Sequence, residues 1–217
     1  MRFALALCLA VAAVGCESRT TTAQARFFQD GSQKPTVAIV PLFDNTAPNV
    51  DWDLSEELTE SIHYRLQKKD KVFLTSQQKV KNLIRNLRNS QNPFAVDIAW
   101  VKPAFAGQDF VVFMELLQHE EKSIKSAPQE DPQLCPAELN ISLRVRVIDV
   151  RGETPKVVLQ EIIRQSEYLP RQFNQYNFHQ QVATEDAFTF SPLGLAHSQL
   201  TKEAAKRIEE YILLARN

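Results

Sequence analysis

Glycine and cysteine are both scarce in this chain of 217 residues, which contains five glycines and three cysteines. So few glycines leave little backbone suited to cradle a phosphate, and the sequence has neither a P-loop nor a G-x-S-x-G nucleophile elbow. Cys8 and Cys16 fall in or directly after an apolar segment at the start of the chain, which leaves Cys135 as the single thiol of the remainder. This excludes an intramolecular disulfide framework and a cysteine-based zinc site.

An excess of charge of either sign is also absent, since Lys and Arg total 25 and Asp and Glu total 26. A dedicated nucleic-acid binder would carry a basic stripe, so no nucleic-acid partner is expected. Neighbouring acids such as Glu56 and Glu57 point apart on a helix and are expected on solvated faces. The four histidines show no metal-ligand spacing and are expected as surface or packing residues: His63, His119, His179 and His197. The sequence predicts no catalytic residue, no metal site and no cofactor, and it does not indicate an enzyme.

The start of the chain has the parts of an export signal. Arg2 precedes an uncharged apolar run over residues 3–14, which is too short to span a hydrocarbon core of about 30 Å. The run leads into the sequence A-V-G-C, which ends at Cys16. This ending resembles the lipobox of bacterial lipoproteins, in which signal peptidase II cuts before the cysteine, although Ala13 replaces the usual leucine. The alternative is an ordinary secretory signal followed by an incidental cysteine.

A lipobox implies the state of the mature protein. Residues 1–15 are removed, and Cys16 carries a thioether-linked diacylglycerol and an acylated amino terminus. Two or more acyl chains anchor a protein stably, at about 0.8 kcal/mol per buried methylene. Glu17 stands where many inner-membrane lipoproteins have aspartate, so the resemblance favours the outer membrane, with the domain facing the periplasm. No later segment approaches roughly 18 uncharged apolar residues, and lipid on Cys16 is therefore the expected membrane anchor.

After the signal, the chain divides into a polar stretch and one domain. Residues 16–36 are interpreted as the lipidated cysteine with a flexible tether, and residues 37–217 as a single domain. Hydrophobic periodicity predicts the order β-α-β-α-(α)-β-β-β-α. The predicted strands cover residues 37–43, 72–74, 110–117, 139–147 and 157–164, and the predicted helices cover residues 54–68, 79–89, 94–106 and 191–215. Capping boxes at Asp53–Glu56 and Thr75–Gln78 mark the first two helix starts. The pattern indicates an α/β (α+β) fold with a mixed sheet of about five strands and helices packed on it.

The connection over residues 168–190 is a candidate partner site. It contains six aromatic residues in a polar context, and long irregular loops are usually functional or disordered. Because interfaces are enriched in aromatic side chains, we interpret four of these residues as partner-binding: Tyr168, Phe173, Tyr176 and Phe178. The alternative is that the rings pack back on the sheet and pin the connection. The proline-rich loop at residues 122–138 is a second candidate of the same kind.

The first half of the domain resembles a known family. The segment VAIVPLFDNT at residues 37–46 leads into a capped helix, and the segment KVFLTSQQKV at residues 71–80 leads into the second helix. This arrangement is similar to a periplasmic α/β domain of lipoproteins that activate penicillin-binding proteins, of the curli secretion channel subunit and of the amino-terminal part of the Tol translocation protein. The resemblance implies an anticodon-binding-like fold and a binding role without catalytic residues. The arginines of the hairpin at residues 139–165 argue against a membrane pore.

The sequence is compatible with two main functional hypotheses. We expect a lipid-anchored, non-catalytic envelope protein that binds another envelope protein. The alternative is an oligomerising accessory subunit of an outer-membrane assembly or secretion complex, and the sequence leaves the oligomeric state and the partner open. An envelope hydrolase is a third hypothesis, for which no residue argues.

Overall fold

The structure is a computed structural model, and it describes residues 24–46, 50, 52–85, 87, 91–124, 135–170 and 186–216. The strands are β1 (Thr36–Ile39), β2 (Phe43–Asp44), β3 (Phe73–Leu74), β4 (Phe110–Ser123), β5 (Ala137–Asp149) and β6 (Lys156–Leu169). The helices are α1 (Leu54–Lys69), α2 (Gln77–Ile84), α3 (Val101–Ala104), α4 (Asp186–Thr189) and α5 (Pro192–Arg216).

The described strands form one mixed sheet. Its order is β3-β1-β4-β5-β6, and β2 pairs with β4 beyond the end of β1. β1 runs parallel to β3 and β4, whereas β4, β5 and β6 run antiparallel to one another. The predicted α/β fold, with a mixed sheet and helices packed on it, is confirmed. The predicted hairpin is β5 and β6, and both strands extend beyond their predicted bounds.

The first predicted strand is interrupted at Pro41. The Val40 amide still donates to a carbonyl of β4 at 3.0 Å, but proline has no amide hydrogen to continue the ladder. The next amide, that of Leu42, donates instead to the Thr59 hydroxyl of α1 at 2.9 Å. Pairing with β4 resumes at Phe43. The interruption therefore gives a sixth strand where about five were expected.

The main core lies between the sheet and the helices α1 and α5. Leu58 and Ile62 of α1 and Leu200 and Ile208 of α5 recur with helical spacing and are fully buried. This apolar stripe is what makes each helix pack flat against the sheet. The long strands contribute alternate residues to the same core, as period-2 patterning requires.

The opposite face of the sheet is covered to a smaller extent. α2 and α3 pack over β1 and the start of β4, where the rings of Phe105 and Phe113 meet edge to face with centroids 5.8 Å apart. Further along, the residues of β4, β5 and β6 on this face are mostly polar and exposed. We call this surface the polar face, and it comprises Glu120, Lys122, Glu138, Ile162, Arg164, Ser166 and Tyr168.

One of the two predicted capping boxes is wrong. Asp53 caps α1 as predicted, because its carboxylate accepts the Glu56 amide at 3.1 Å. Thr75 does not cap α2, since its hydroxyl donates to the Gln108 side chain inside the domain. The N-cap position is taken by Ser76, which makes no side-chain capping bond. A buried tertiary partner therefore replaced the local one at Thr75.

Residues 24–36, which the sequence assigns to the tether, lie against the domain in the structure. Residues 26–34 form a small hairpin, with Phe27 bridged to Gln33 and a turn at Gly31 that has a φ of 80°. We call this the N-terminal hairpin. The Gln24 side chain binds the edge strand β3 by donating to the Val72 carbonyl at 2.5 Å and accepting the Leu74 amide at 2.9 Å.

The domain has two ends along its strands. The N-terminal end contains the N-terminal hairpin, the start of β1, the β5–β6 turn and the last turns of α1 and α5. The Arg151 guanidinium there donates to the Ala215 carbonyl at 2.6 Å, and the Arg216 guanidinium lies 5.4 Å from the Phe28 ring centroid.

The opposite end, which we call the distal end, contains the C-termini of β4 and β6 and the start of α5. β4 and β6 have 14 residues each, and a strand of that length spans about 45 Å. The two ends are therefore far apart. None of the helices in the described ranges is both long and apolar enough to cross a membrane.

Candidate functional site

The structure describes one of the residues predicted to carry function. Cys16, Phe173, Tyr176 and Phe178 lie outside the described residues. Tyr168 is the penultimate residue of β6, at the distal end, and pairs in register with Glu138 of β5. Its side chain is 59% exposed and lies on the polar face, away from α5. This position leaves the ring accessible from solution.

At the C-terminal end of the predicted aromatic connection, one ring is buried in the domain and another is exposed. Phe188 of α4 is buried and meets the Trp52 ring edge to face, with centroids 5.1 Å apart, as expected if the rings pin the connection. Phe190, which lies two residues further on, is 78% exposed. The described part of this connection thus contains one anchored ring and, with Tyr168, two exposed rings at the distal end.

Four polar side chains that are distant in sequence meet between α1, α5 and β4. The Nε2 atoms of His119 in β4 and His197 in α5 lie 3.0 Å apart. The other ring nitrogen of His197, Nδ1, lies 2.9 Å from Oε1 of Glu57 in α1. The Trp52 indole N–H donates to Oε2 of the same carboxylate at 2.9 Å. We call Trp52, Glu57, His119 and His197 the histidine cluster.

The prediction of solvated faces for the acidic pairs is wrong for Glu57. Glu56 is exposed, whereas Glu57 turns toward α5 and is largely covered. The two residues point apart on α1, as expected, and it is α5 that covers the face on which Glu57 lies. The histidines are correctly interpreted as packing residues in the case of His119 and His197, which are both buried.

The sequence contained a signal for only one of these histidines. His197 lies four residues after Leu193 and three before Leu200, and so belongs to the apolar stripe of α5. The alternation of β4 buries Leu116 on the α5 side and would place His119 on the polar face. A bulge after Leu116 shifts the register, which returns His119 to the α5 side. No pattern in the sequence indicates this bulge.

Burial governs the charge of the cluster. The loss of hydration, and to a smaller extent the neighbouring His197, lower the pKa of His119 to about 4, although Glu57 acts in the opposite direction. His119 is therefore neutral at pH 7. A carboxylate can only accept, so Nδ1 of His197 donates to Glu57. When His197 is neutral, its Nε2 accepts from Nε2–H of His119; when His197 is protonated, this bond reverses direction.

The cluster is arranged to connect elements. Among the residues that the structure describes, no group of three or more His, Cys, Asp and Glu side chains is placed to hold a metal ion. The hydrogen bonds join α1, α5 and β4 through the middle of the main core. The Phe188 ring lies 5.9 Å from the His197 ring, so the cluster also contacts α4, the described end of the aromatic connection.

A second polar cluster lies on the other side of the sheet. Glu115 of β4 accepts from Nε of Arg144 at 2.6 Å and from the side-chain amide of Asn45. The Arg144 guanidinium also lies 4.2 Å from the Phe94 ring centroid. These contacts tie the segment before α3 and the end of β2 to the sheet. Arg144 is thus a structural residue of the hairpin.

One protein-family model matches nearly the whole chain. The model of a family of unknown function (DUF7499) matches residues 23–216. The chain belongs to this family. The DUF7499 match includes the N-terminal hairpin, the histidine cluster and Tyr168. No curated protein matches the chain.

Several solved bacterial structures are similar to this DUF7499 chain. The hypothetical protein CT253 from Chlamydia trachomatis is 26% identical, with a TM-score of 0.62, and the match covers 82% of this chain and 98% of that one. The lipoprotein GNA1162 from Neisseria meningitidis is 12% identical with a TM-score of 0.44, covering 79% and 99%. The LpoB C-terminal domain from Salmonella enterica is 12% identical with a TM-score of 0.36, covering 60% and 82%. The first of these supports the fold, and the other two superpose too loosely to support more.

Proposed function

We propose that this DUF7499 protein is anchored through lipid on Cys16 to the outer membrane and acts in the periplasm as a non-catalytic module that binds another envelope protein. The observation that supports this is the placement of the two ends of the domain. Gln24, the first described residue after the proposed anchor, is bound at the N-terminal end. Tyr168 lies at the distal end. An anchored domain of this shape would hold its exposed aromatic residues away from the membrane.

The chemistry of the distal end suits a protein partner. Tyr168 at this end and Ile162 in the middle of β6 are exposed on the same face, Glu138 pairs in register with Tyr168, and Arg164 lies between the two along β6. Binding energy at protein interfaces is concentrated in aromatic anchors surrounded by a polar rim. We propose that Phe173, Tyr176 and Phe178 extend this surface, because their segment joins Tyr168 to α4.

The anchor is tested with a matched pair of cysteine variants. Cys16→Ala should abolish metabolic labelling by radioactive palmitate and leave the precursor unprocessed or released into the soluble fraction. Cys8→Ala should leave labelling and processing unchanged, since Cys8 belongs to the segment that is removed. Normal processing and membrane retention of Cys16→Ala would overturn the proposed anchor.

The partner surface is tested with two tyrosines of similar exposure. Tyr168 is 59% exposed and Tyr64, on α1, is 62% exposed. Tyr168→Ala, alone or with Tyr176→Ala and Phe178→Ala, should remove specific adducts formed by crosslinking in intact cells, while Tyr64→Ala keeps them. If all variants give the wild-type adducts, the distal end is not the partner surface.

A second candidate is the oligomerising accessory subunit. One observation favours it: β6 is an edge strand of 14 residues, and in the described part of the chain no strand pairs with the edge that faces away from β5. Exposed edges of this length can pair with a second copy. Native mass measurement of the detergent-solubilised protein distinguishes the candidates, since a stable ring of copies favours the second and a monomer favours the first.

A further inference from the structure

The N-terminal end of the domain presents basic and apolar side chains together. Arg26 and Phe27 belong to the N-terminal hairpin, Lys68 and Lys71 lie at the end of α1, and Leu214 and Arg216 lie in the last turn of α5. All six are surface residues, and we call them the basal surface. The hairpin is bound to both helix ends, because Lys34 pairs with Asp70 after α1 at 2.6 Å and Phe28 lies under Arg216.

The acidic residues near this surface are largely paired within the domain. Asp70 is paired with Lys34, Glu209 with Lys69 at 3.3 Å, and Asp149 with Arg151 at 2.7 Å. Asp30 accepts hydrogen bonds from Ser32 in the turn of the N-terminal hairpin. Glu153 in the β5–β6 turn is exposed. Asp30, Glu153 and Glu210, which is exposed one turn before Leu214, keep their negative charge. The four basic side chains of the basal surface have no ion pair with a carboxylate among the described residues, so they are available to bind external anions.

Exposed apolar groups accompany this charge. Phe27 is 57% exposed because its bridge to Gln33 turns it outward, while its neighbour Phe28 is covered by Arg216 and Lys34. Leu214 is also exposed on α5. Lys and Arg beside an aromatic and an aliphatic side chain are the composition of protein surfaces that lie in a membrane interface.

We infer that the basal surface rests on the membrane leaflet that holds the anchor, with Phe27 at the headgroup level and the basic side chains on anionic phospholipids. This rests on the proposed lipidation of Cys16. The chain from Cys16 to Gln24 reaches at most about 28 Å when extended and about 15 Å as a flexible coil. The anchor thus keeps the basal surface close to the leaflet. The attraction acts over a Debye length of about 8 Å at physiological salt.

The test uses the full lipidated protein reconstituted into vesicles of phosphatidylethanolamine with or without phosphatidylglycerol. A photoreactive benzoylphenylalanine replaces Phe27 in one variant and Phe190 in another, because both are exposed phenylalanines at opposite ends of the domain. Crosslinking to radioactive lipid should be strong from position 27 in vesicles that contain phosphatidylglycerol. It should fall with added salt and be at background from position 190.

Charge variants provide a second measurement. Arg26→Gln, Lys68→Gln and Lys71→Gln, combined in the position-27 variant, should lower lipid crosslinking by about tenfold or more, since each basic residue near an anionic surface contributes roughly fivefold. The matched control neutralises three exposed basic residues remote from the basal surface, Lys122, Arg164 and Lys202, and should leave crosslinking unchanged.

The two proposals fail in different ways. Protein that carries no lipid and does not float with vesicles overturns both the proposed anchor and this inference. Lipidated protein that floats but gives no more crosslinking from position 27 than from position 190 overturns the inference alone. Crosslinking from position 27 that is indifferent to phosphatidylglycerol, salt and the three glutamine substitutions also overturns it, because anionic lipid is then not what the surface binds.

Discussion

The Nε2 atoms of His119 and His197 lie 3.0 Å apart in the main core, a distance at which one ring must donate and the other accept. Only one of the two rings can be protonated in this geometry, because two imidazolium ions would place two N–H groups against each other. Glu57, on the far side of His197, accepts from Nδ1 of that ring, so Nε2 is the nitrogen that His197 presents to His119. The contact therefore makes the packing of α5 against β4 sensitive to acid.

Stability should fall as the pH is lowered from 6.5 towards 4. The pKa of His119 is about 4 in the folded protein against an ordinary value of 6.5, so within this window the unfolded chain binds a proton that the folded chain does not. The stabilisation is complete above pH 6.5 and decreases below it by up to about 1.4 kcal/mol per pH unit. Urea unfolding followed across the window measures this slope.

Glutamine variants identify which histidine causes the dependence of the unfolding free energy on pH. His119→Gln should unfold at lower urea concentration than the wild type at pH 7.5 but show a shallower dependence on pH between 6.5 and 5. Burial also lowers the pKa of His63. His63→Gln should therefore remove the contribution of His63 to the pH dependence of the unfolding free energy and leave the contribution of His119. A wild-type slope in His119→Gln would show that the cluster is not the origin of the acid sensitivity.

Substitutions of the neighbours Glu57 and Glu56 should differ widely in their cost to stability. Glu57→Gln removes the charged acceptor of both the Trp52 indole and the His197 ring and should cost about 1–3 kcal/mol of unfolding free energy. Glu56→Gln alters an exposed residue with a loose ion pair to Lys81 at 3.7 Å and should stay within about 0.5 kcal/mol. Equal costs for the two variants would mean that Glu57 is not an energetic part of the cluster.

Gly194 is required by the close approach of α4 to α5. A Cβ at this position would lie 2.0 Å from the Phe188 carbonyl oxygen and 2.9 Å from its carbon, and backbone atoms cannot move aside as a flexible side chain can. Gly194→Ala should therefore cost about 2–3 kcal/mol or detach α4, which a change in Trp52 fluorescence would report. The control is Gly152→Ala, where the nearest atom is 3.6 Å away. Similar melting temperatures for both variants would contradict this account.

The sequence predicted those parts of the fold that depend on repeated local patterns. Local periodicity alone identifies three elements: the apolar stripes indicate α1 and α5, and the alternation indicates β5. The predicted bounds of these elements are within a few residues of the observed bounds. Features that depend on a single distant contact were not found. The Thr75 hydroxyl donates to the Gln108 side chain instead of capping α2. β2 is separate from β1 because Pro41 has no amide hydrogen for the ladder and the Leu42 amide donates to the Thr59 hydroxyl.

The candidate sites also differ in whether they depend on a local pattern or on distant contacts. Tyr168 was identified because aromatic residues cluster in its part of the sequence, a property that composition shows directly. The histidine cluster joins residues from three elements, and one of them, His119, reaches it through a bulge that no sequence pattern marks. The N-terminal hairpin was missed for a related reason, because its attachment depends on the side chains of Gln24 and Lys34 in a polar stretch without periodicity.

That attachment gives the last prediction. Lys34 is 2% exposed and its ammonium group lies 2.6 Å from Asp70 and 5.5 Å from the Phe28 ring centroid. Lys34→Ala returns Asp70, which is already largely exposed, to water, so the global cost should be small, about 1 kcal/mol. The local effect should be larger, because the N-terminal hairpin then loses its ion pair with the end of α1. Limited trypsin digestion should cut after Arg26 several-fold faster than in the wild type. Lys71→Ala, an exposed neighbour of Asp70, should digest at the wild-type rate. Unchanged cleavage in Lys34→Ala would mean that Gln24 and β3 hold the hairpin without the ion pair.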